Sequence, residues 1–337
     1  MENKLNISLS PHIHGGRSTQ RLMWMVVAAM IPALLVALWT FGIPALIVTL
    51  ICVGSCLVTE WVISRFMLRK KELTIVDGSA LITGLLLAFN LPSILPWWMA
   101  VIGSVVAIAI GKMSFGGLGC NIWNPALVGR VFLLLSFPAA MTTWPGGVKM
   151  GAQMFDAASG ATMGADGASG ATLLTAMKMN PQGTLDPDYL GMMIGDMNGS
   201  LGEVGSFAIL LGCLFLICTR VITWHIPVSV LASAAFFSWV FGGNPIIDLF
   251  AGGLILGACF MATDYVTSPM TPKGQLIYGF LIGFITIIIR RFGSYPEGVS
   301  FAILLMNSFT PLINRYCRPK SFGEKEALKL AKANAKN

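Results

Sequence analysis

Charged side chains are scarce in this 337-residue chain. Asp, Glu, Lys and Arg together make up 11% of it, whereas apolar residues make up 55% and the mean hydropathy is +0.75. Soluble domains carry about 25% charged residues. The composition therefore excludes an ordinary soluble domain and predicts an all-α polytopic membrane protein.

The chain also lacks several motifs of redox and nucleotide chemistry. Its seven cysteines form no CxxC pair, and the sequence contains no P-loop and no GxGxxG after a strand. These absences exclude a recognisable iron–sulfur or nucleotide site. No metal site is predicted, and iron–sulfur or nucleotide chemistry would need partner subunits.

Long apolar runs are what the sequence has instead. A membrane span needs about 20 apolar residues. Ten segments are candidates, five on each side of a long polar loop at 144–204. They are Leu22–Thr40, Pro44–Ile63, Ser79–Leu91, Trp97–Ile110, Trp123–Thr142, Gly205–Ile222, Pro227–Phe241, Ile246–Ala262, Gln275–Ile289 and Val299–Ile313.

The arrangement of these segments predicts an inverted 5+5 repeat. An odd number of spans in each half forces the halves, 22–143 and 205–314, into opposite orientations. Ser79–Leu91 is short and ends at prolines, and Ile246–Ala262 in the second half is followed by Pro269 and Pro272 in the same manner. Paired interrupted segments of this kind indicate a binding site at the repeat interface.

The distribution of Lys and Arg predicts the orientation in the membrane. Basic residues cluster in the tail 1–21, in the loop 65–71 and in the tail 315–337, whereas the loop 144–204 has two basic and six acidic residues. Positive loops stay in the cytoplasm, so both termini are predicted to be cytoplasmic and the long loop periplasmic. Arg290 and Arg291 do not fit this orientation, since it places them on the periplasmic side. Because the basic clusters adjoin spans, the expected partner is the lipid bilayer and not a nucleic acid.

The long loop contains the segment Asp166-Gly167-Ala168-Ser169-Gly170-Ala171-Thr172. Glycine and alanine leave the backbone flexible and the Thr172 hydroxyl open to a bulky group. Asp166 could help to orient a phosphate or bind a metal. Thr162 and Thr175 are alternative attachment points.

Further motifs occur in order along the chain. They are Ser10-Pro11-His12, Gly119-Cys120-Asn121-Ile122-Trp123-Asn124-Pro125-Ala126, Thr263-Asp264-Tyr265-Val266-Thr267-Ser268-Pro269 and Arg291-Phe292-Gly293-Ser294-Tyr295-Pro296-Glu297-Gly298-Val299. With the loop, they resemble the NqrB/RnfD family, membrane subunits of Rnf complexes and of Na⁺-pumping NADH:quinone reductases. Tyr265 departs from the family pattern, where proline is expected.

The resemblance implies a function, cofactors and partners. It implies FMN joined to Thr172 by a phosphoester bond, with Asp166, Ser169, Gly170 and Ala171 as the attachment motif. It also implies a second, non-covalent flavin (riboflavin). The complex would contain Rnf subunits A, B, C, E and G in the bacterial inner membrane and would couple electron flow between ferredoxin and NAD to Na⁺ or H⁺ translocation. The alternatives are the B subunit of the quinone reductase, which has a longer N-terminal extension, and a non-redox channel or transporter.

Several polar residues near the apolar segments are further candidates. Asn121 and Asn124 could contact the second flavin, or Asn124 could cap a helix that begins with Pro125. Asp264 could contact an ion or a cofactor at the end of an interrupted helix.

Three charged residues in or beside apolar segments need an explanation because buried charges are costly. Arg130 needs a flavin phosphate or a buried carboxylate as its partner. Asp248 is predicted to cap a helix N-terminus. Glu60 could pair with Arg65 or extend toward the interface.

Overall fold

The computed structural model describes residues 18–69, 74–144, 174, 178, 189–194, 199–293, 295 and 297–319. Within these ranges the chain is helical and contains no strand. The α-helices are α1 Thr19–Phe41, α2 Ile43–Val62, α3 Ser79–Phe89, α4 Trp97–Ala109, α5 Pro125–Ser136, α6 Pro138–Thr142, α7 Tyr189–Ile194, α8 Ser206–Cys218, α9 His225–Val240, α10 Pro245–Phe250, α11 Leu254–Leu256, α12 Pro272–Phe292 and α13 Val299–Tyr316. Two π-helical turns, Ile63–Met67 and Gly257–Met261, continue α2 and α11.

Four helical stretches are long and apolar enough to cross a membrane. They are Thr19–Phe41, Ile43–Met67, Trp97–Phe115 and Pro272–Phe292. Shorter apolar helices accompany them at Ser79–Phe89, Pro125–Ser136, Ser206–Cys218 and His225–Val240. The prediction of an all-helical chain with several membrane-length helices is therefore confirmed for the described residues.

Each of the ten predicted segments contains a helix, but two of them are broken. The predicted span Trp123–Thr142 divides at Phe137, whose backbone (φ −133°, ψ 59°) leaves the helical region just before Pro138. A proline disfavours the helical conformation of the residue before it. The predicted span Ile246–Ala262 divides at Ala251–Gly253, where Ala251 is extended and Gly252 has a positive φ of 76°.

The helices of each half pack among themselves, and helices of the two halves also contact each other. In the first half α2 lies against α3 and α4, and α4 lies against α5. In the second half α9 lies against α10 and α12, and α12 lies against α13. The contacts of α1 with α8 and of α5 with α13 join the halves.

Small residues allow α9 and α12 to pack closely. A Cβ added at Gly283 would lie 2.0 Å from Ser233 Oγ and 2.7 Å from the carbonyl oxygen of Val230. A Cβ at Gly279 would lie 2.8 Å from Ser229 Cβ. Such close approach of helix backbones is typical of membrane helices with small residues at the interface.

Candidate functional site

A cleft opens between the start of α1, the start of α3, the end of α8 and the loops around residues 118–125 and 260–266. It is partly open to solvent. Most of its wall is apolar. Lys112, Asn121, Asn124 and Asp264 are among the polar residues that line it, so the structure brings together three residues that the sequence singled out.

Asn124 is the cap of α5, as one of the two sequence interpretations proposed. Its Oδ1 accepts a hydrogen bond from the backbone N–H of Ala126 at 3.1 Å, and Pro125 is the first residue of the helix. Its Nδ2 donates to the carbonyl oxygen of Met261 at 3.2 Å. Asn124 therefore also ties the start of α5 to the π-helical turn of the second half.

Asp264 lies directly beside Asn121 in this cleft. The Asn121 side chain hydrogen-bonds the Asp264 carboxylate and also donates to the carbonyl oxygen of Trp123 at 3.1 Å. The Thr267 hydroxyl is 3.2 Å from Asp264 Oδ2. Burial raises the pKa of Asp264 above its ordinary value, although these hydrogen bonds and one from the Val266 N–H favour the ionised form. A cation placed next to this carboxyl group would therefore favour its ionised form.

A buried ion pair lies behind the part of the cleft wall that Lys112 and Ser79 form. Lys112 Nζ lies 2.6 Å from Glu60 Oε2 and 2.7 Å from Ser79 Oγ, and both charged side chains are almost completely buried. Lys112 comes just after α4, where the chain leaves the helix. The sequence interpretation named Arg65 as a partner for Glu60 and missed Lys112, which is 52 positions away.

A second polar network joins the two halves near the end of α3 and the start of α13. Arg130 Nη1 donates to Asn90 Oδ1 at 2.8 Å and to Ser300 Oγ at 2.7 Å, and Arg130 Nη2 pairs with Glu297. Of the two partners that the sequence left open for Arg130, the structure shows the buried carboxylate. The network connects α3 and α5 of the first half to the beginning of α13.

Asp248 lies in the first turn of α10, where negative charge is favoured as predicted, but it is not the N-cap residue. Asn244 is the cap of α10, since its Oδ1 accepts from the Ile246 N–H at 3.1 Å. Asp248 lies one turn further on, where its carboxylate accepts from Ser238 and from Arg291 Nη2 at 2.7 Å. Arg290 Nη1 is 3.9 Å from the same carboxylate. Arg290 and Arg291, which did not fit the predicted orientation, therefore share one buried acidic partner.

The attachment motif of the long loop lies outside the described residues. This applies to Asp166, Ser169, Gly170, Ala171 and Thr172, and to the alternatives Thr162 and Thr175.

Leu174 and Lys178, which follow the motif closely, are described. Leu174 is buried in a cluster with Met192, Ile247 and Ala251, and Lys178 Nζ donates to the carbonyl oxygens of Gly293 and Tyr295. These two contacts hold the chain after the motif against the second half. Among the described residues, no group of three or more His, Cys, Asp or Glu side chains is arranged to hold a metal ion.

Comparison with known proteins gives matches along almost the whole chain. The model of the NQR2, RnfD, RnfE family matches residues 6–323. The D subunit of the Na(+)-translocating ferredoxin:NAD(+) oxidoreductase complex of Acetobacterium woodii is 44% identical over 98% of this chain and 99% of its own length. The D subunit of the proton-translocating ferredoxin:NAD(+) oxidoreductase complex of Clostridium ljungdahlii is also 44% identical, over 96% of this chain and 97% of its own length. The D subunit of the ion-translocating oxidoreductase complex of Erwinia tasmaniensis is 42% identical over 95% and 98%.

Proposed function

Because the chain belongs to the NQR2, RnfD, RnfE family, we propose that it is the D subunit of an ion-translocating ferredoxin:NAD⁺ oxidoreductase complex. The observation that carries this proposal is the near full-length similarity to proteins named as that subunit in three organisms. The chain then works as one multi-pass subunit in the bacterial inner membrane. Rnf subunits A, B, C, E and G are its partners, and they supply the ferredoxin and NAD sites for which this sequence has no motif.

In this proposal Thr172 carries FMN through a phosphoester bond to its hydroxyl oxygen. FMN, when bound, supplies a two-electron redox centre that can also exchange single electrons. The residues near the motif fit the group. Leu174 is buried at α10, and two residues span at most about 7 Å. A Cβ at Gly252 would lie 2.8 Å from Leu174 and 2.9 Å from Arg290 Nη2, so the chain just after the motif lies close to a positively charged side chain.

Mass spectrometry of the tryptic peptide from Met150 to Lys178 tests the attachment. In protein co-expressed with its flavin transferase, the wild-type peptide is expected to carry the mass of FMN minus water, and fragmentation locates it on Thr172. Thr172→Val keeps the side-chain shape but removes the oxygen, so it should carry none. Thr162→Val is the matched control in the same peptide and should retain full attachment. FMN on Thr162, or on neither threonine in the wild type, contradicts the assignment.

The cleft that contains Asn121 and Asn124 is the proposed site of the second, non-covalent flavin. A cleft with apolar walls and a few amide groups is chemically suited to a flat heteroaromatic ring. Asn121 is the better candidate contact, because the Asn124 side chain already serves the helix cap and the Met261 carbonyl. Asp264, hydrogen-bonded to Asn121, is the proposed coupling residue for Na⁺ or H⁺.

We also propose that the two halves form the inverted repeat of ten spans. Equivalent helix contacts in the two halves support this proposal. The contact of α2 with α4 corresponds to that of α9 with α12, and the contact of α4 with α5 corresponds to that of α12 with α13. In this arrangement both termini are cytoplasmic and the loop 144–204 is periplasmic, with the cleft near the cytoplasmic ends of the helices.

Two other functions use the same architecture and are tested by one observation. The B subunit of the Na⁺-pumping quinone reductase would carry the same covalent flavin. A channel or transporter would carry none, since a fold does not fix a function. Flavin fluorescence of the denatured protein in a gel separates the redox subunits from the transporter, and co-purification with Rnf subunits separates the two redox subunits.

A further inference from the structure

Two carboxyl groups meet at the junction of the halves, beside the Arg130 network. Glu203 precedes α8 and Glu297 precedes α13, yet their carboxyl groups are in hydrogen-bonding contact. Glu203 is only 2% exposed. Its Oε2 accepts from the Ser200 N–H at 3.3 Å, and its Oε1 has no hydrogen-bond donor among the described groups.

Charge balance shows which of the two carboxyl groups can be ionised. Burial disfavours ionisation of Glu297, but the positive charges of Arg130 and Arg290 and the hydrogen bonds with Glu203 and Arg130 together outweigh burial. They hold the pKa of Glu297 below its ordinary value. Burial, together with the negative charge of Glu297, raises the pKa of Glu203 well above its ordinary value. Arg290 also faces both groups, but its Nη atoms donate to the carbonyl oxygens of Asp248 and Ala251.

We propose that Glu203 holds a proton at neutral pH and donates it to Glu297, so that the pair is a proton-binding site. Two ionised carboxylates are both acceptors and cannot hydrogen-bond each other, whereas a carboxylic acid and a carboxylate can. The proton binds as a ligand of the pair and is shared between two groups that titrate together.

The site has a definite place in the fold. Glu203 is at the end of the long loop, where the chain returns to the helices, and Lys178 of the same loop is bonded to the turn just before Glu297. Arg130 links the pair to Asn90 of the first half. Loss of the proton leaves two carboxylates beside the Arg130 guanidinium, which already pairs with Glu297. Repulsion between the two carboxylates then weakens the junction between the halves.

Thermal denaturation of the full-length protein across about pH 5 to 9 tests the proposal. An acid whose folded pKa is raised makes the folded state bind more protons than the unfolded state. Stability therefore falls as the pH rises from the unfolded pKa, about 4.3, to the folded pKa. Within this window Glu203 shifts the unfolding equilibrium about tenfold per pH unit. Glu203→Gln keeps a hydrogen-bond donor and removes the titration.

The variant is therefore expected to melt like the wild type at the acid end and at a higher temperature than the wild type at the alkaline end. Asp77→Asn, at a partly exposed carboxylate before α3, is the control and should gain no such alkaline advantage. A difference between Glu203→Gln and wild type that does not change with pH overturns the proposal.

Infrared spectroscopy gives a second measurement that does not depend on how the Glu203 variant folds. Among the residues that the structure describes, Asp264 is the other carboxyl group with a raised pKa. The Asp264→Asn protein should still show the C=O absorption of a protonated carboxyl group at neutral pH. Absence of this absorption overturns the proposal. In a Glu203→Gln protein that folds, the absorption should be lost as well.

Discussion

At the scale of single residues, the buried Glu60–Lys112 pair has the largest predicted effect on stability. Lys112→Met leaves the Glu60 carboxylate without an ammonium group 2.6 Å away. Breaking a buried pair on one side costs about 3–5 kcal/mol, whereas replacing both partners by apolar residues is often neutral. We expect Lys112→Met to lower the melting temperature strongly and the double variant Glu60→Leu/Lys112→Met to recover most of the loss. A double variant no more stable than the single one contradicts this account.

A second residue-scale prediction concerns the non-covalent flavin. Asn121→Leu should remove this flavin and keep the covalent FMN, because Asn121 lines the cleft whereas FMN is attached through the long loop. Thr172→Val is the reciprocal control, which should lose the covalent flavin and keep the other. Chromatography of flavin released by acid, together with fluorescence of the remaining protein, measures both pools. Retention of the released flavin in Asn121→Leu would remove Asn121 from the site.

Asp264 gives a third prediction at this scale. Asp264→Asn keeps the hydrogen-bonding shape but removes the negative charge that a cation or proton would meet. In the assembled complex we expect both flavins to remain and the dependence of electron transfer on the coupling ion to decrease. Asp77→Asn, before α3 and outside the cleft lining, is the matched control and should keep that dependence. Unchanged ion dependence in Asp264→Asn would make Asp264 a structural residue.

At the scale of helices, the contact between α9 and α12 depends on the absence of side chains. A Cβ at Gly283 would overlap Ser233 Oγ and the backbone of α9, so Gly283→Ala must push the two helices apart. Gly54 in α2 has nothing within 4 Å of an added Cβ, which makes Gly54→Ala the matched control. We expect Gly283→Ala to lower the melting temperature. Gly54→Ala should leave the melting temperature unchanged or raise it, because alanine favours the helix over glycine by up to about 1 kcal/mol. Equal effects of both substitutions would contradict close packing at Gly283.

The sequence predicted the existence of helices better than their interruptions. All ten apolar runs contain helix, because a run of apolar residues is a local signal that does not depend on the rest of the chain. The breaks at Phe137 and at Ala251–Gly253 were missed as breaks, although Pro138 and Gly252-Gly253 mark them. Hydrophobicity continues across both positions, so composition alone hides the change in backbone direction.

The sequence predicts several residues of the candidate site but not the ion pairs of the buried charged residues. Asn121, Asn124 and Asp264 were selected as polar residues at the ends of apolar segments, and the structure brings them to one cleft. The partners Glu60–Lys112, Arg130–Glu297 and Asp248–Arg291 are far apart in the chain. No local pattern identifies such pairs, since they follow from how the helices pack.

At the scale of the whole molecule, the two arginines near the end of α12 no longer weaken the proposed orientation. Arg290 is buried, and its guanidinium donates to the carbonyl oxygens of Asp248 and Ala251. Arg291 pairs with the Asp248 carboxylate. Their positions are explained by a partner inside the folded protein, so the clusters at 65–71 and 315–337 remain the charges that determine orientation.

Fusion of reporters to successive points of the chain tests this orientation. Alkaline phosphatase, which is active only outside the cytoplasm, should be active after Lys178, because the loop 144–204 has two basic residues against six acidic ones. It should be inactive after Lys320, within the basic tail, and after Lys71, which is the matched control in the basic loop of the first half. A green fluorescent protein fused at the same three positions should give the opposite pattern. Phosphatase activity after Lys71, or its absence after Lys178, would exclude ten spans with cytoplasmic termini, because the number of crossings before each point fixes the side on which it lies.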